Sequence, residues 1–324
     1  LTIGAETEMR LEQQRIDLDN FRGTIDWALE AREGDLVVRT TGNIAQFWKL
    51  RGYLSEARQR LSAALRVDDQ SSTTDRWFLR FWAISFALEV GDHDDALALA
   101  EEILEIGQSA GDPFATGVGY AMLSRARSAF PDRGDEGVAL AQRAVEILDP
   151  LGRAEWTGLA WVRLGVEHHR AGHLQAARDA LLRALELRRA EPFAGLVASA
   201  LISLGAVWFD LGEAQQALEA YREALDLALA EENHTAMVAA TLGLADVTWR
   251  RGEGTPEQRM SSAINLVAAA EEHRIRYGLG RDAIRRTIAD WIAPMQETWG
   301  DITVAAELAT GMDLAMDEIA KTAA

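Results

Sequence analysis

Residues 161–184 read WVRLGVEHHRAGHLQAARDALLRA and contain the clearest structural pattern of the chain. Two segments of helical spacing flank Gly172, and glycine readily takes the left-handed conformation that ends a helix. Their apolar positions are, in order, Trp161, Leu164, Gly165, Ala177, Leu181 and Ala184. Gly165 and Ala177 are small enough for two antiparallel helices to approach closely. The stretch therefore predicts a helical hairpin with its turn at Gly172.

The same pattern recurs forty residues later, at Leu201, Leu204, Gly205, Trp208, Gly212, Ala217, Tyr221 and Ala224. Looser copies surround Gly52, Gly91 and Gly252, and a further copy lies within residues 120–148. In that copy Arg125 stands where the small residue of the first helix is expected. A period of this length is typical of stacked helical hairpins.

These repeats resemble the tetratricopeptide (TPR) type. We expect an all-α, TPR-like right-handed superhelix of about six antiparallel helix hairpins with helical caps. The expected divisions are an N-terminal capping helix in residues 1–34, the repeats in 35–254 and a C-terminal helical cap in 255–324. The capping helix is predicted from an apolar stripe that contains Leu11, Leu18, Phe21, Ile25 and Trp27.

Composition excludes several function classes. The formal net charge is −18, so the chain's field repels phosphate backbones and anionic lipids, and direct nucleic-acid or membrane binding is not expected. There is no cysteine, no signal-peptide pattern and no apolar stretch long enough to span a bilayer, which favours the cytoplasm. Lysine occurs only at Lys49 and Lys321, and neither follows a phosphate-loop glycine pattern. The start at Leu1 suggests a fragment.

Four segments carry a resemblance to a family: IDLDNFRGTIDWAL (16–29), FWKLRGYLSEARQRLSAAL (47–65), AINLVAAAEEHR (263–274) and WGDITVAAELATGMDLAMDEIAKTAA (299–324). They resemble the TPR-type sensor region of bacterial signal-transduction ATPases with numerous domains (STAND), including LuxR-type regulators and cyclase-associated predicted ATPases. The resemblance implies a sensor arm that binds an inducer or partner protein and restrains or releases an ATPase. It also implies an intramolecular ATPase module in the full-length protein, because this sequence contains none.

The candidate binding residues lie on the first helix of each hairpin, which lines the inner face of such a superhelix. One inward position is occupied by Lys49, Leu88, Ala129, His169, Phe209 and Trp249, and a second by Gln46, Ser85, Ala126, Val166, Ala206 and Asp246. This mixture suits a peptide or a small effector better than a dinucleotide. The alternative is that many of these side chains only pack against neighbouring helices.

Phe81 belongs to an aromatic-rich helix with Trp77, Phe78, Trp82 and Phe86. These aromatic residues form either core packing or a recognition patch.

His168, His169 and His173 lack acidic or cysteine ligands at motif spacing, so no metal and no cofactor are expected. The carboxylates are interpreted as lying on solvated helix faces, and no set of catalytic residues can be assigned. The sequence therefore predicts a non-enzymatic interaction or effector-sensing arm of a regulatory ATPase or transcriptional regulator. The alternative is a self-associating scaffold or a stand-alone TPR adaptor.

Overall fold

The computed structural model describes residues 12–68, 71–130, 134–189, 194–279 and 288–300, together with 304 and 308. Within these ranges all regular secondary structure is helical. The chain divides into two compact units, Leu1–Phe193 and Ala194–Ala324. Most of the C-terminal motif at 299–324, with Leu11 and Lys321, lies outside the described residues.

The first unit contains, in chain order, α1 (Leu18–Ala31), α2 (Gly34–Leu50), α3 (Leu54–Arg66), α4 (Thr73–Glu89), α5 (His93–Ser109), α6 (Pro113–Arg127), α7 (Gly134–Leu148), α8 (Ala154–Arg170) and α9 (Leu174–Arg189). The second contains α10 (Ala194–Asp210), α11 (Ala214–Ala230), α12 (His234–Arg251), α13 (Pro256–Arg276) and α14 (Ile288–Trp299). No helix in the described ranges is long and apolar enough to cross a membrane.

Pairs of consecutive helices form the predicted hairpins. Four lie in the first unit, α2/α3 to α8/α9, and two in the second, α10/α11 and α12/α13. We call the first helix of each hairpin the A helix and the second the B helix. Each A helix packs on its own B helix and on the next A helix of the same unit. The chain is thus an all-α, TPR-like protein, and the described residues contain six hairpins, the number predicted.

Glycine makes both the turns and the close approaches that the sequence predicted. Gly172 and Gly212 end their A helices with φ of 77° and 84°. A Cβ on Gly165 would lie 2.5 Å from Leu181 Cγ and 3.2 Å from the Ala177 carbonyl oxygen, so α8 and α9 touch there. In the last hairpin the positive φ falls on Gly254, at 96°, and not on Gly252.

The register of the third hairpin differs from expectation by one residue. Ser124, not Arg125, occupies the small position of α6: it is fully buried, and its hydroxyl donates to the Gly137 carbonyl oxygen of α7 at 3.1 Å. Ala126, the expected inward residue, is also fully buried. Ala129 follows the end of α6. Arg125 therefore takes the position equivalent to Ser85.

The apolar stripe predicted for the N-terminal capping helix lies on α1, with one correction. Leu18, Ile25 and Ala28 are buried in the core of the first hairpins, and Phe21 packs against them. Trp27, expected in the same stripe, is 58% exposed. Its position two residues after Ile25 turns it to the opposite side of the helix.

Candidate functional site

One stripe of each A helix is left partly exposed by the helical packing. In α4 the half-buried aromatic residues Phe78, Phe81 and Trp82 follow one another at helical spacing, and Ser85 and Leu88 continue the same face. The other sides of α4 bury Leu79, Ile84 and Phe86. We call this partly exposed surface the A-helix face, and within the first unit it runs along α2, α4, α6 and α8.

Ser85 and Arg125 meet on this face. They are forty residues apart at equivalent positions of α4 and α6, and Arg125 Nη1 donates to Ser85 Oγ at 2.9 Å. Ser85 is only 4% exposed and donates its own proton to the Phe81 carbonyl oxygen at 3.2 Å. Burial lowers the pKa of Arg125 to about 10. The structure thus places a desolvated guanidinium beside a predicted site residue.

Lys49 and Glu89 form an ion pair next to it, one turn further along α4. The side chains of Lys49 and Glu89 are 18% and 2% exposed, and the Lys49 ammonium lies 5.6 Å from the centre of the Phe86 ring. Burial, and secondarily the positive charge of Arg125, lower the pKa of Lys49. Arg125, Lys49 and Glu89 therefore lie together at the end of α4.

The aromatic residues extend the face toward α8. The centre of the Phe81 ring lies 5.2 Å from that of Trp82 and 5.2 Å from that of Trp156 of α8, and both ring pairs are edge-to-face. Phe78 packs against Phe81 and Trp82. Trp77 and Phe86 are buried and belong to the core. The aromatic helix therefore has a core side and a half-buried surface side, and recognition of a partner by that surface stays a prediction.

The other predicted residues of the first unit are also half-buried on their A helices. Gln46 is half-buried on α2, one turn before Lys49. His169 is half-buried near the end of α8. Within the described residues, no group of three or more His, Cys, Asp or Glu side chains could hold a metal ion.

The second unit carries its own group. Phe209 of α10, with Asp246 and Trp249 of α12, is half-buried. The Arg250 guanidinium lies 5.8 Å from the centre of the Phe209 ring and 3.7 Å from the Asp246 carboxylate. Arg250 thus links the predicted residues of two neighbouring A helices.

Three contributors were missed from the sequence. Arg125 was assigned to the helix interface through the one-residue register error, although its forty-residue spacing from Ser85 could have revealed it. Glu89 and Arg250 each follow a predicted residue by one helical turn or less, and only packing between helices shows their contacts.

Two further polar clusters lie elsewhere. Between α4 and α5, beside a cavity of about 460 Å³, Arg80 pairs with the fully buried Asp68 side chain and donates to Glu102 at 2.6 Å. In the second unit, His234 Nδ1 and His273 Nε2 are 3.0 Å apart, and the Tyr277 ring stacks on His234 at 3.6 Å. Burial, and secondarily Arg276, lower the pKa of His273.

No protein-family model matches this sequence, and no curated protein is significantly similar to it. Solved structures do match. BtubC (BKLC) from P. vanneervenii has a TM-score of 0.50 at 17% identity, over 68% of this chain and 91% of that one. A Rap protein in complex with Competence and Sporulation Factor has a TM-score of 0.58 at 14% identity, over 94% and 86% of the two chains.

A third match is the STAND protein PH0952 from Pyrococcus horikoshii, which has a tetratricopeptide repeat sensor. Its TM-score is 0.51 at 17% identity, over 98% of this chain and 48% of that one. This chain therefore spans about half the length of PH0952. At such identities the three similarities show the fold, a TPR-like helical repeat.

Proposed function

We propose that the chain is an effector-sensing or protein-interaction arm, whose ligand is a peptide, a protein segment or a small effector bound on the A-helix face. The observation that carries this is the composition of that face. Its partly exposed positions hold aromatic and charged side chains such as Phe81, Trp156 and Lys49. Half-buried aromatic and arginine side chains are the residue types that contribute most to binding at interfaces.

Binding, and not catalysis, is the role that fits this chemistry. On the A-helix face of the first unit, Lys49 pairs with Glu89 and Arg125 donates to the Ser85 hydroxyl, and these four side chains include no nucleophile with an adjacent base. An A-helix face of this kind offers a rigid surface with apolar and polar contacts. We therefore propose a non-enzymatic, cytoplasmic role without a cofactor.

The regulatory part of the proposal is that the chain is the sensor arm of a signal-transduction ATPase or transcriptional regulator. The sequence resemblance to STAND regulators supports it, and so does the fold similarity to PH0952 over about half of that protein. In this proposal the ATPase module belongs to the same polypeptide. The proposed three-part organisation is residues 1–34, 35–254 and 255–324.

A second candidate function is self-association as a scaffold. It is favoured by large apolar side chains that project into solvent, with Trp27 58% exposed and Ile275 60% exposed. Light scattering across a concentration series tests it. A mass that rises with concentration supports the scaffold, and a constant monomer mass contradicts it.

The main proposal is tested by affinity selection from a synthetic pool of random hexapeptides. Bound peptides are separated with the protein by size exclusion and identified by mass spectrometry. Selected peptides should bind the wild-type chain. Their affinity should fall about tenfold for the Phe81→Ala variant or for the double variant Phe209→Ala, Trp249→Ala. Leu182→Ala, an exposed B-helix change, is the matched control and should leave affinity unchanged. The melting temperature of the Phe209→Ala, Trp249→Ala variant should stay close to wild type. Peptides that bind all variants equally would refute binding on the A-helix face.

A further inference from the structure

The cavity between α4 and α5 has a cationic wall and an acidic wall. Its volume is about 460 Å³, which lies within the range of about 300–1,000 Å³ that is usual for small-molecule sites. Thr73, Arg76 and Arg80 line it from α4, and Glu102, Glu105 and Ser109 line it from α5. The cavity therefore offers two opposite charges to one small ligand, at a place on α4 separate from the A-helix face.

Arg80 is buried, yet its guanidinium retains a free donor group. Its side chain is 8% exposed, and Nε donates to the Glu102 carboxylate at 2.6 Å. Nη1 donates to the Asp68 carboxylate and to the Arg76 carbonyl oxygen. Within the described residues no acceptor contacts Nη2 of Arg80, although Arg80 lines the cavity. A buried donor without an acceptor is costly, so an acceptor on a ligand in the cavity would stabilise it.

The α4 wall as a whole favours an anion. Thr73, Arg76 and Arg80 are spaced by three and four residues, so their side chains share one side of the helix. Arg76 is 36% exposed, and its one ion pair within the described residues is a 3.5 Å contact of Nε with Asp68, so its terminal amino groups can reach a ligand. Thr73 is the first residue of α4, and the first turn of a helix carries partial positive charge.

The α5 wall favours a cation. Glu102, Glu105 and Ser109 share one side of α5, again at spacings of three and four residues. Glu102 accepts from Arg80, whereas Glu105 is exposed and forms no ion pair with any described residue. Ser109 is the last residue of α5, and the last turn of a helix carries partial negative charge. Because α4 and α5 form an antiparallel hairpin, these two helix ends of opposite polarity border the same cavity.

We infer that this cavity is a second ligand site, which binds a free amino acid in its zwitterionic form. The carboxylate of the ligand accepts from Arg76 and from Nη2 of Arg80, and its ammonium group donates to Glu105. The formal charges around the cavity support a zwitterion. Two arginines and three carboxylates, with Asp68 included, leave one net negative charge, so a simple anion would add to it. A simple cation would leave Nη2 of Arg80 without an acceptor.

Calorimetric titration of the chain with amino acids tests this site. The probes are the standard L-amino acids together with 4-aminobutyrate and 6-aminohexanoate, whose charged groups lie further apart. The tightest-binding probe is then compared with its carboxamide, which lacks the negative charge, and with its N-acetyl derivative, which lacks the positive charge. Each derivative should bind at least about tenfold more weakly than the parent amino acid. Equal binding of either derivative, or no binding of any probe at about 10 mM, would overturn the inference.

Two variants separate ligand binding from a structural role of the cluster. Arg76→Gln should bind the amino acid and its carboxamide about equally, and Glu105→Gln should bind the amino acid and its N-acetyl derivative about equally. Both side chains reach solvent, so melting temperatures should stay close to wild type. Glu186→Gln, at a glutamate that is 72% exposed on α9, is the matched control and should bind as wild type does.

Variants that keep the wild-type preferences would show that the cluster is structural and would overturn the inference. Hexapeptide binding on the A-helix face should be unchanged in Arg76→Gln, because the two sites use different residues. The two proposals can therefore fail separately: loss of amino-acid binding with hexapeptide binding retained contradicts the cavity site alone.

Discussion

Replacing Gly119 with alanine should separate α5 from α6 and destabilise the first unit. A Cβ at this position would lie 2.7 Å from Leu104 Cα and 2.8 Å from Leu104 N. Carbon atoms in favourable contact are about 3.5–4.0 Å apart, so the two helices must move apart by about 1 Å. The obstructing atoms are main-chain atoms, and no change of side-chain rotamer relieves the clash.

The magnitude follows from comparison with a matched glycine. Overpacking of this kind costs about 1–3 kcal/mol, whereas alanine gains up to ~1 kcal/mol of helix propensity over glycine. Gly23 lies in the middle of α1, and no described heavy atom lies within 4 Å of a Cβ placed there. Gly23→Ala therefore gains the propensity without the clash. The two variants should differ by about 1–3 kcal/mol, which corresponds to roughly 2–12 °C in melting temperature.

Thermal unfolding of both variants, followed by circular dichroism and calorimetry, measures this difference. The Gly119→Ala protein should melt below wild type or close to it, and the Gly23→Ala protein at or above wild type. If Gly119→Ala melts as high as Gly23→Ala, then α5 and α6 do not approach as closely as the structure shows. The close packing of these two hairpins would then be refuted.

Two further predictions concern buried polar clusters. Arg80→Ala leaves the buried Asp68 carboxylate without its main cation and should lower the free energy of unfolding by about 3–5 kcal/mol. Arg183→Ala is the control, because the ion pair of Arg183 with Glu186 is exposed, and it should cost about 0–1 kcal/mol. Urea titrations measure both losses. Equal losses would show that the Arg80 cluster is solvated. The folded state lowers the pKa of His273, so the unfolded chain binds a proton that the folded chain does not, and stability should fall as the pH drops from 7.5 to 5.5. His273→Gln should lose less over the same range in thermal melts, and an identical loss would contradict the lowered pKa of His273.

The hairpins were predictable from sequence because their determinants are local. Turn glycines such as Gly172 and close-approach residues such as Gly165 recur with a fixed period, and each has one physical role. The error in the third hairpin arose where that signal is weakest. Ser124 is a small polar residue that replaces glycine, so the neighbouring Arg125 was misread as the interface residue.

The site was predictable only in part, because its contacts join side chains from different repeats. Periodicity places Lys49 and Ser85 on one face, but it does not show that Glu89 and Arg125 meet them there. Such contacts depend on the rotation and spacing of neighbouring A helices. Phe81 illustrates the same limit: its helix has more aromatic residues than one core stripe needs, and the packing decides which of them reach the surface. Binding at these residues stays a prediction.

Hydrogen exchange with and without a selected hexapeptide locates the ligand on the chain and so tests binding on the A-helix face. Bound peptide should slow exchange in the A helices of the first unit, above all in α4 and α6 near Ser85 and Arg125. The B helices α5 and α7 should change little. Protection confined to the B helices, or no protection at saturating peptide, would contradict a binding site on the A-helix face.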